Sequence, residues 1–345
     1  MVLIDAVYIH ESGGKTLLDY FIRGVLARKC KFILFLDKRI TAEFVSLLPG
    51  TNVIFVNATE RDRYLMYKKY KEQITSIFCF ANVPPPIFMR KKSVFILFHN
   101  SLILSNLLEN NSHSLFNKLF FLIRRFYIRL LTFENYKWIV QTNVMKEKLN
   151  RFLKIPVSSI YISPFFSKEF FSGLSNSTKS IPKFLYVADG VPQKNHFKLL
   201  EAWRILFFKY DLSYELSLTV PERFVDVNIK INELIKEGVR IKNYGNCAKP
   251  LLRSLYLENN FLIFPSLSES FGLPLLEAAE SRCKILASNL PYVYELINPS
   301  ATFDPNSSDD IAKVVSLVSN SINIPETEII IEDHRDQIIN LLFNY

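Results

Sequence analysis

The stretch FLIFPSLSESFGLPLLEAAESR (residues 261–282) runs from an apolar segment through a polar loop into a helical pattern, and this order decides the fold. Its first four residues are continuously apolar, which predicts a strand buried on both faces of a parallel sheet. Pro274 predicts the start of the following helix, because proline lacks an N–H that would have no partner there. In that helix Leu275, Leu276 and Ala279 are available to face the sheet.

Two carboxylates, Glu269 and Glu277, stand eight positions apart around the predicted helix start. The N–H groups of Phe271, Gly272 and Leu273 would lie at the helix N-terminus, which attracts anions such as a diphosphate. Because carboxylates would repel a diphosphate, we expect them to accept hydrogen bonds from sugar hydroxyls instead. The alternative is that both glutamates are solvated surface residues, with Glu277 only favouring the first helical turn.

Further apolar runs alternate with helical patterns along the whole chain, which predicts repeated β-α-β units and parallel sheets. The first series of predicted strands comprises Leu3–Ile9, Lys31–Leu36, Asn52–Val56, Ser76–Phe80, Ser93–Phe98 and Lys137–Gln141. The second series comprises Phe184–Ala188, Glu215–Thr219, Val239–Asn243, Phe261–Phe264 and Lys284–Ala287.

The polar segment FSGLSNSTKSIPK (residues 171–183) separates the two series and predicts a linker. We therefore expect an N-terminal domain over 1–170 and a C-terminal domain over 184–345, whose last helix is a candidate to pack back on the first domain. The predicted fold is α/β, with two doubly wound Rossmann-like domains facing a central cleft. The carboxyl ends of the strands would line that cleft, where such sheets bind ligands.

Composition agrees with a globular two-domain protein. The 345 residues are 49% hydrophobic and 22% charged, and we see no apolar run long enough to predict a transmembrane helix. The start, MVLIDAVYIHESGG (residues 1–14), predicts a first strand rather than a signal peptide. The cysteines lack CxxC spacing, so we expect buried, reduced thiols in a cytoplasmic protein rather than a zinc site. They are Cys30, Cys79, Cys247 and Cys283.

The net charge of +9 fits three kinds of partner: nucleic acid, an anionic membrane or a phosphorylated substrate. A basic nucleic-acid-binding protein is therefore one alternative reading of the chain. No recognisable nucleic-acid-binding module accompanies the charge, so we expect no nucleic acid partner.

The segment ESFGLPLLE (residues 269–277) resembles the E-x7-E signature of retaining, GT-B-fold glycosyltransferases of family 4, the glycosyl transferases group 1. The resemblance extends to the preceding FLIFPSLSE and the following KILASNLPYVYEL (residues 284–296). It implies that Glu269 holds the donor sugar and Glu277 the ribose of a nucleotide. It also implies that Ser270, Phe271, Gly272 and Leu273 line the donor site.

A second segment, KFLYVADGVPQKNHFKLLEAW (residues 183–203), resembles the first strand and helix of this family's C-terminal domain, where a lysine pairs with the donor phosphates. Lys194 takes that place. Many members carry an arginine shortly before this lysine, whereas this chain has Val191, Pro192 and Gln193. Phosphate binding would therefore depend more on Lys194 and the helix N-terminus. Outside the family context, Lys194 would be read as a surface lysine.

Two further segments are implied to contact the donor. HESGGKTLLDYF (residues 10–21) resembles the glycine loop that approaches the donor phosphate, where Gly13 and Gly14 would allow close backbone contact. An ordinary turn is the alternative for this glycine pair. The base is implied to meet the backbone of IKNYGN (residues 241–246), at Asn243, Tyr244 and Gly245.

Polar residues at the ends of first-domain strands suggest an acceptor side. His99 ends a buried run, and in the family a histidine often lies here, close to the transferred sugar. A polar loop start is the alternative for His99, and His10 is a rival at the end of the first strand. Asn82 and Asn100 are the other predicted acceptor-side residues. Glu269, Lys194 and His99 are the predicted catalytic residues.

The predicted reaction needs a nucleotide-sugar co-substrate and no metal or other cofactor. We find no DxD pair for a metal-bound donor, and Asp309-Asp310 predict a helix start. The resemblance to capsule, O-antigen and lipopolysaccharide enzymes implies a surface glycan, or a lipid-linked glycan, as acceptor. A nucleotide-sugar epimerase of the same fold is the alternative enzyme, although the extra acids it would usually need are not identifiable.

The segment LFNKLFFLIRRFYIRLL (residues 115–131) mixes apolar residues with Lys118, Arg124, Arg125 and Arg129. Such a helix can lie on an anionic bilayer, which would make the protein peripheral on the inner face of the cytoplasmic membrane. The alternative is a helix buried in the N-terminal domain, whose arginines reach the surface with their charged ends.

Overall fold

The computed structural model describes residues 1–10, 12–40, 48, 52–104, 115–167, 182–321 and 323–343. The chain divides into two compact units: Met1–Ser167 with Glu332–Tyr345, and Lys168–Ile331. The predicted linker, 171–183, lies outside the described residues except for its last two positions.

The first unit is built on a parallel sheet of seven strands in the order β3-β2-β1-β4-β5-β6-β7. These strands are β1 (Val2–Ala6), β2 (Phe32–Asp37), β3 (Asn52–Val56), β4 (Ser76–Cys79), β5 (Ser93–Leu97), β6 (Tyr136–Val140) and β7 (Ile160–Ile162). The helices within the described residues of this unit are α1 (Ser12–Ala27), α2 (Glu60–Tyr70), α3 (Ser101–Leu104), α4 (Leu115–Leu130), α5 (Asn143–Leu153) and, from the end of the chain, α12 (Arg335–Phe343).

The last helix, α12, packs on α1 and β4 of the first unit. Gly24 of α1 makes this approach feasible, because a Cβ there would lie 2.7 Å from the Arg335 side chain and 3.0 Å from that of Ile339. Tyr20 of α1 also donates a hydrogen bond to Asp333, just before α12. The chain therefore returns to its first unit at its end.

The second unit contains a parallel sheet of six strands in the order β10-β9-β8-β11-β12-β14, and a two-stranded antiparallel sheet of β13 and β15. The strands are β8 (Lys183–Tyr186), β9 (Glu215–Leu218), β10 (Ile241–Asn243), β11 (Phe261–Phe264), β12 (Lys284–Ser288), β13 (Ile297–Asn298), β14 (Ala301–Phe303) and β15 (Glu328–Ile329). The helices are α6 (His196–Lys209), α7 (Val225–Lys236), α8 (Lys249–Glu258), α9 (Leu273–Glu280), α10 (Pro291–Tyr294) and α11 (Ser308–Ser319).

Every predicted strand run overlaps a strand of the structure, so the α/β prediction is confirmed. Some boundaries differ. The first strand ends at Ala6 rather than Ile9, because the N–H of Ile9 donates to the Ala6 carbonyl and Tyr8 takes a left-handed φ of 84°. In α9, Ala278 rather than Ala279 is buried beside Leu275 and Leu276, which corrects the predicted inward face.

The four cysteines differ in burial. Cys79 and Cys283 are buried free thiols, as predicted, but Cys30 and Cys247 are partly exposed.

Among the described residues, no helix combines the length and the apolar character needed to cross a bilayer.

Each main sheet is parallel throughout, so the carboxyl ends of its strands share one edge. Within each unit, the loops that follow these ends carry most of the residues predicted to bind ligand. Such edges are where open parallel sheets place their binding sites.

Candidate active site

Lys194 and Glu269 form an ion pair at the carboxyl edge of the second unit's sheet. Their Nζ and Oε1 atoms lie 2.6 Å apart, and the side chains are only 18% and 9% exposed. Lys194 ends a 3₁₀ turn after β8, and Glu269 lies in the loop after β11, the neighbouring strand. The residues predicted to hold phosphate and sugar are therefore in direct contact.

The loops that carry this pair are fixed by hydrogen bonds to each other and to buried tyrosines. The Tyr186 hydroxyl donates to the Lys194 carbonyl at 2.7 Å and also contacts Ser266 Oγ at 3.0 Å. Tyr292 donates to the Ser266 carbonyl, and the Leu267 N–H donates to the Gln193 carbonyl. These hydrogen bonds join the two loops to each other and so fix the backbone that carries the ion pair.

Asn195 adds a further restraint directly after Lys194. Its backbone has a φ of 60°, a left-handed conformation that is strained for most residues but tolerated by asparagine. Its side-chain amide donates to the carbonyls of Pro265 and Pro305 at 3.1 and 2.7 Å. These bonds hold the turn that directs Lys194 towards Glu269.

Helix α9 begins beside Glu269 at Leu273, one residue before the predicted start at Pro274. Gly272 is its N-cap, with a φ of 97° that a residue with a Cβ rarely adopts. The first backbone bond of this turn runs from the Leu275 N–H to the Gly272 carbonyl at 3.0 Å. The preceding N–H groups of Gly272 and Leu273 have no acceptor within the helix, as at any helix start. This end of α9 can therefore bind an anion.

The other two residues of the predicted donor loop differ in exposure. Phe271 is buried at 3% exposure, so its side chain anchors the loop, whereas Ser270 is partly exposed. The loop from Glu269 to Gly272 is thus attached to the core at Phe271, and Ser270 is its more exposed polar residue.

Glu277 is held by a residue that the sequence did not indicate. Tyr256 of α8 donates a hydrogen bond from its hydroxyl to Glu277 Oε2 at 2.8 Å. Burial raises the pKa of the Glu277 carboxyl, while the Tyr256 hydroxyl and the positive charge of Lys249 act in the opposite direction. Neither Glu277 nor Glu269 is a solvated surface residue, so that alternative is wrong.

The predicted base loop is only partly available to a ligand. The Asn243 side chain bonds to the N–H and the carbonyl of Val220, both at 2.9 Å, and to Asn228 at 2.8 Å. The N–H groups of Tyr244 and Gly245 donate to the Leu218 carbonyl and to Asn243 Oδ1. The Asn243 amide therefore has a structural role, and the N–H groups of Tyr244 and Gly245 are already used. Within the described part of the chain, the carbonyls of these two residues meet only the weak Cys247 thiol donor, at 4.0 and 3.6 Å.

An open groove of about 420 Å³ borders this loop and shares Asn243, Tyr244 and Gly245 with it. Its other walls come from α7 and the segment after β9. The base loop thus has free space on one side.

In the first unit, His99 and Asn82 lie together at the carboxyl ends of β5 and β4. The His99 N–H donates to Asn82 Oδ1 at 2.6 Å, and the Asn82 amide lies 3.5 Å from His99 Nε2. Asn82 is buried and has a left-handed φ of 67°. Gly14 is close by, since a Cβ added there would lie 3.8 Å from His99 Nε2.

Gly13 and Gly14 lie in the first turn of α1, which starts at Ser12. Their close approach to a donor phosphate stays a prediction. His10 precedes this helix and Asn100 precedes α3, and both are partly exposed.

His99 is uncharged at neutral pH. Burial, together with the neighbouring charge of Arg124, lowers the pKa of His99 to about 4. The ring can therefore donate or accept a hydrogen bond near pH 7, but it carries no positive charge at that pH.

The described residues contain no group of three His, Cys, Asp or Glu side chains placed to hold one metal ion. Asp309 and Asp310 lie in the first turn of α11, where the N–H of Asp310 donates to the N-cap Ser307. They form a helix start, as the sequence predicted.

The second unit is similar to a known protein family. Residues 167–332, just under half of the chain, match the family "Glycosyl transferases group 1". O-antigen chain mannosyltransferase B of Escherichia coli is 30% identical over 132 residues, which are 37% of this chain and 34% of that protein. O-antigen chain mannosyltransferase RfbU of Salmonella typhimurium is 23% identical over 148 residues, or 41% and 39% of the two chains. The match thus spans well under half the length of these curated relatives.

Solved structures match nearly the whole chain. WaaG, a glycosyltransferase involved in lipopolysaccharide biosynthesis, gives a TM-score of 0.73 at 13% identity, with 100% of both chains covered. Sucrose-phosphate synthase from Thermosynechococcus elongatus gives 0.70 at 16% identity, covering 99% of this chain and 94% of that one. At such identities the likeness concerns the fold, and it confirms two Rossmann-like units of the GT-B type. The arrangement of the two units around a cleft stays a prediction.

Proposed function

We propose that this chain is a glycosyltransferase that moves a sugar from a nucleotide-sugar donor to a surface-glycan acceptor, with retention and without a divalent metal. The contact between Lys194 and Glu269 carries the proposal. It joins a cation suited to phosphate and a carboxylate suited to hydroxyls, beside a helix N-terminus. The family match includes both residues.

The donor diphosphate would bind at Lys194 and the start of α9. Two phosphate groups attract Lys194 more strongly than one carboxylate does, so the donor would draw its Nζ away from Glu269. Glu269 could then accept hydrogen bonds from the sugar hydroxyls. Because the leaving diphosphate gains charge during the reaction, the same Lys194 and the N–H groups of Gly272 and Leu273 would stabilise the transition state.

Glu277 is the proposed ribose ligand. Its Oε2 already accepts from Tyr256, so the carboxylate keeps Oε1 and a second lone pair of Oε2 for the ribose diol. Tyr256 would fix the orientation of the carboxylate. At the base loop, the carbonyl oxygens of Tyr244 and Gly245 would accept from N–H groups of the base, because the N–H groups of these two residues are occupied.

Retention is proposed from the resemblance to retaining glycosyltransferases. No second acid is evidently placed to attack the anomeric carbon, as the double displacement of retaining glycosidases would require, so we propose that departure and attack occur on the same face. In the proposed step, the bond from the anomeric carbon to the diphosphate oxygen breaks, and its electron pair stays with the diphosphate. The acceptor oxygen bonds to the same face of the carbon, and its proton passes to the diphosphate. His99, Asn82 and Asn100 of the first unit are proposed for the acceptor side, with a neutral His99 supporting the sugar.

The relatives suggest where to start with substrates. Two of them are O-antigen mannosyltransferases by name. The Anabaena protein Alr3699/HepE was solved with UDP and glucose. Its structure gives a TM-score of 0.68 at 13% identity and covers 99% of this chain and 95% of that one. We therefore propose a hexose donor, with nucleotide-activated mannose first in the panel and glucose second.

A donor panel followed by a transfer assay tests this function. Purified protein is first screened with nucleotide sugars for thermal stabilisation, since a ligand at a hundredfold excess over Kd adds about 2.7 kcal/mol to the free energy of unfolding. Release of nucleoside diphosphate is then measured with a glycan acceptor present. A transferase releases diphosphate and glycosylates the acceptor, and Glu269→Gln loses both. Interconversion of donor sugars without acceptor would instead indicate the epimerase, and no response to any donor would overturn the proposal.

A further inference from the structure

Helix α4 exposes a continuous stripe of large apolar side chains. The stripe consists of Leu119, Leu122, Ile123, Phe126 and Leu130, whose exposures lie between 52% and 69%. These positions follow the spacing i, i+3, i+4, i+7 and i+11, which places them on one face of the helix. The stripe is therefore one surface and not a set of scattered residues.

The opposite face of α4 attaches the helix to the first unit. Ile128 is fully buried and Phe121 packs against the core. The Tyr127 hydroxyl donates to Glu60 of α2 at 2.6 Å. The helix is thus docked through its other side, and the apolar stripe is not needed for that contact. For these five side chains, the alternative of burial in the N-terminal domain is wrong.

The stripe stands out within the described part of the chain. The other described helices expose at most three large apolar side chains each, and α7 reaches three with Val225, Ile229 and Ile235. Scattered exposed apolar residues are normal for a folded protein, whereas a contiguous apolar patch marks an interaction surface.

Positive charge borders the stripe. The sequence of α4 contains one lysine and three arginines and no Asp or Glu. Arg125 and Arg129 lie one turn apart at one edge of the stripe, with their guanidinium groups 4.9 and 4.8 Å from the centre of the Phe152 ring. Arg129 also donates to the Phe152 carbonyl at 2.9 Å. The charges are held beside the apolar side chains.

We propose that this stripe docks on an anionic lipid bilayer, with α4 parallel to the membrane plane. The apolar side chains would enter the boundary between headgroups and acyl chains, and Arg125 and Arg129 would meet the headgroup phosphates. A second copy of the chain is disfavoured as the occupant. A two-fold contact through this face would bring two helices that carry cations and no acids together, in a chain of net charge +9.

Vesicle flotation tests the proposal with the full chain, and it reads binding rather than catalysis, so its result is separate from that of the transfer assay. Wild-type protein should float with phosphatidylglycerol-containing vesicles and much less with pure phosphatidylcholine vesicles. Ile123→Asp with Phe126→Asp should lower the bound fraction at least tenfold, and Arg125→Gln about fivefold. Raising the salt should weaken binding.

The matched control is Phe208→Asp with Leu317→Asp, which replaces two side chains of the second unit that are each 58% exposed. It should float like the wild type. Equal binding to neutral vesicles, equal flotation of the Ile123/Phe126 variant, or no binding at all would overturn the proposal. So would a dimer in sedimentation without lipid that this variant dissociates, because the stripe would then be an interface between copies. Circular dichroism and thermal unfolding establish that each variant is folded.

A reporter on the stripe gives a second measurement. Trp138 and Trp203 are buried, so Phe126→Trp adds an exposed tryptophan whose emission differs from theirs. With anionic vesicles its emission should shift to shorter wavelength, and lipids brominated near the headgroup should quench it more than lipids brominated deep in the chain. Phe208→Trp should show neither change. An unshifted and unquenched Phe126→Trp signal would contradict membrane docking.

Discussion

Lys194 Nζ and Glu269 Oε1 lie 2.6 Å apart although 75 residues separate the two in the chain. The pair places a cation directly beside a carboxylate. A diphosphate would compete with Glu269 for Lys194, and Glu269 would then be left to accept hydrogen bonds from a sugar. Val191, Pro192 and Gln193 precede Lys194 and include no arginine, so we expect the consequences of losing Lys194 to be large.

Replacing Lys194 by alanine should lower kcat about a hundredfold, because the charge that develops on the leaving diphosphate would lose its main partner. Lys198→Ala, an exposed lysine one turn further along α6, is the matched control and should leave kcat unchanged. The measurement is nucleoside diphosphate release under saturating donor. A Lys194→Ala enzyme within about threefold of wild type, less than 1 kcal/mol in barrier height, would place phosphate binding elsewhere.

Glu277→Gln should weaken binding of the free nucleoside diphosphate by roughly 1.5–3 kcal/mol, because the proposed ribose contact is a charge-assisted hydrogen bond. Titration calorimetry without any sugar isolates this contact. Glu258→Gln, an exposed residue at the end of α8, serves as control and should bind like the wild type. Unchanged affinity in Glu277→Gln would remove the ribose assignment.

The pH dependence of nucleotide binding should report the Glu277 carboxyl. Burial raises its pKa, and the proposed ribose contact needs the ionised form, so affinity should fall as the pH is lowered through that raised pKa. The Tyr256 hydrogen bond lowers the pKa, so Tyr256→Phe should move the midpoint to higher pH. A midpoint that stays in place, or moves to lower pH, would contradict the role given to Tyr256.

Two histidines should make the protein less stable in acid. Burial is the main cause that lowers the pKa of His99 to about 4 and that of His196 to about 3, against an ordinary 6.5. The unfolded chain therefore binds more protons than the folded chain below pH 6.5, so stability is lost as the pH falls towards the folded values. Between pH 7 and 5 each histidine should contribute a loss of about 2 kcal/mol. His99→Phe and His196→Phe should each flatten the pH profile of urea unfolding, and an unchanged slope would refute the assignment.

The buried ion pair of Arg63 and Asp5 should be the most sensitive point of the first unit. Their contact of 2.8 Å is almost fully buried, and Tyr67 also donates to Asp5. Arg63→Met would leave a buried carboxylate without its cation and should cost about 3–5 kcal/mol of unfolding free energy. Adding Asp5→Leu should recover part of this loss. The exposed Arg61→Met is the control, and Trp138 fluorescence in a Trp203→Phe background reports the first unit. An Arg63→Met variant as stable as this control would contradict the prediction.

The strands were predictable because a parallel sheet buried on both faces requires continuous apolar runs, and such runs are visible in the sequence. Ile160–Ile162 and Ala301–Phe303 were missed, since three residues are too few to set a pattern apart from a loop. Boundaries were less accurate where a local hydrogen bond ends a strand, as at Ile9.

The candidate site was predictable only as a set of segments. Pro274 indicated the start of α9 to within one residue, because proline lacks an N–H that would have no partner there. The partner of Glu277 was not predictable, since Tyr256 lies on another helix and nothing local marks the contact. Asn243 was predicted near the base, yet its side chain is used by the backbone of Val220. Side-chain pairing of this kind depends on packing between distant segments.

The measurement that tests the central claim most directly is an NMR assignment of the product formed from a nucleotide sugar and a glycan acceptor. It is run once with chelator and once with added magnesium, with Glu269→Gln as the inactive control. We predict a glycosylated acceptor whose new linkage keeps the anomeric configuration of the donor, at similar rates in both conditions. An inverted anomeric centre, activity abolished by chelator and restored by magnesium, or transfer by Glu269→Gln at the wild-type rate would contradict the account.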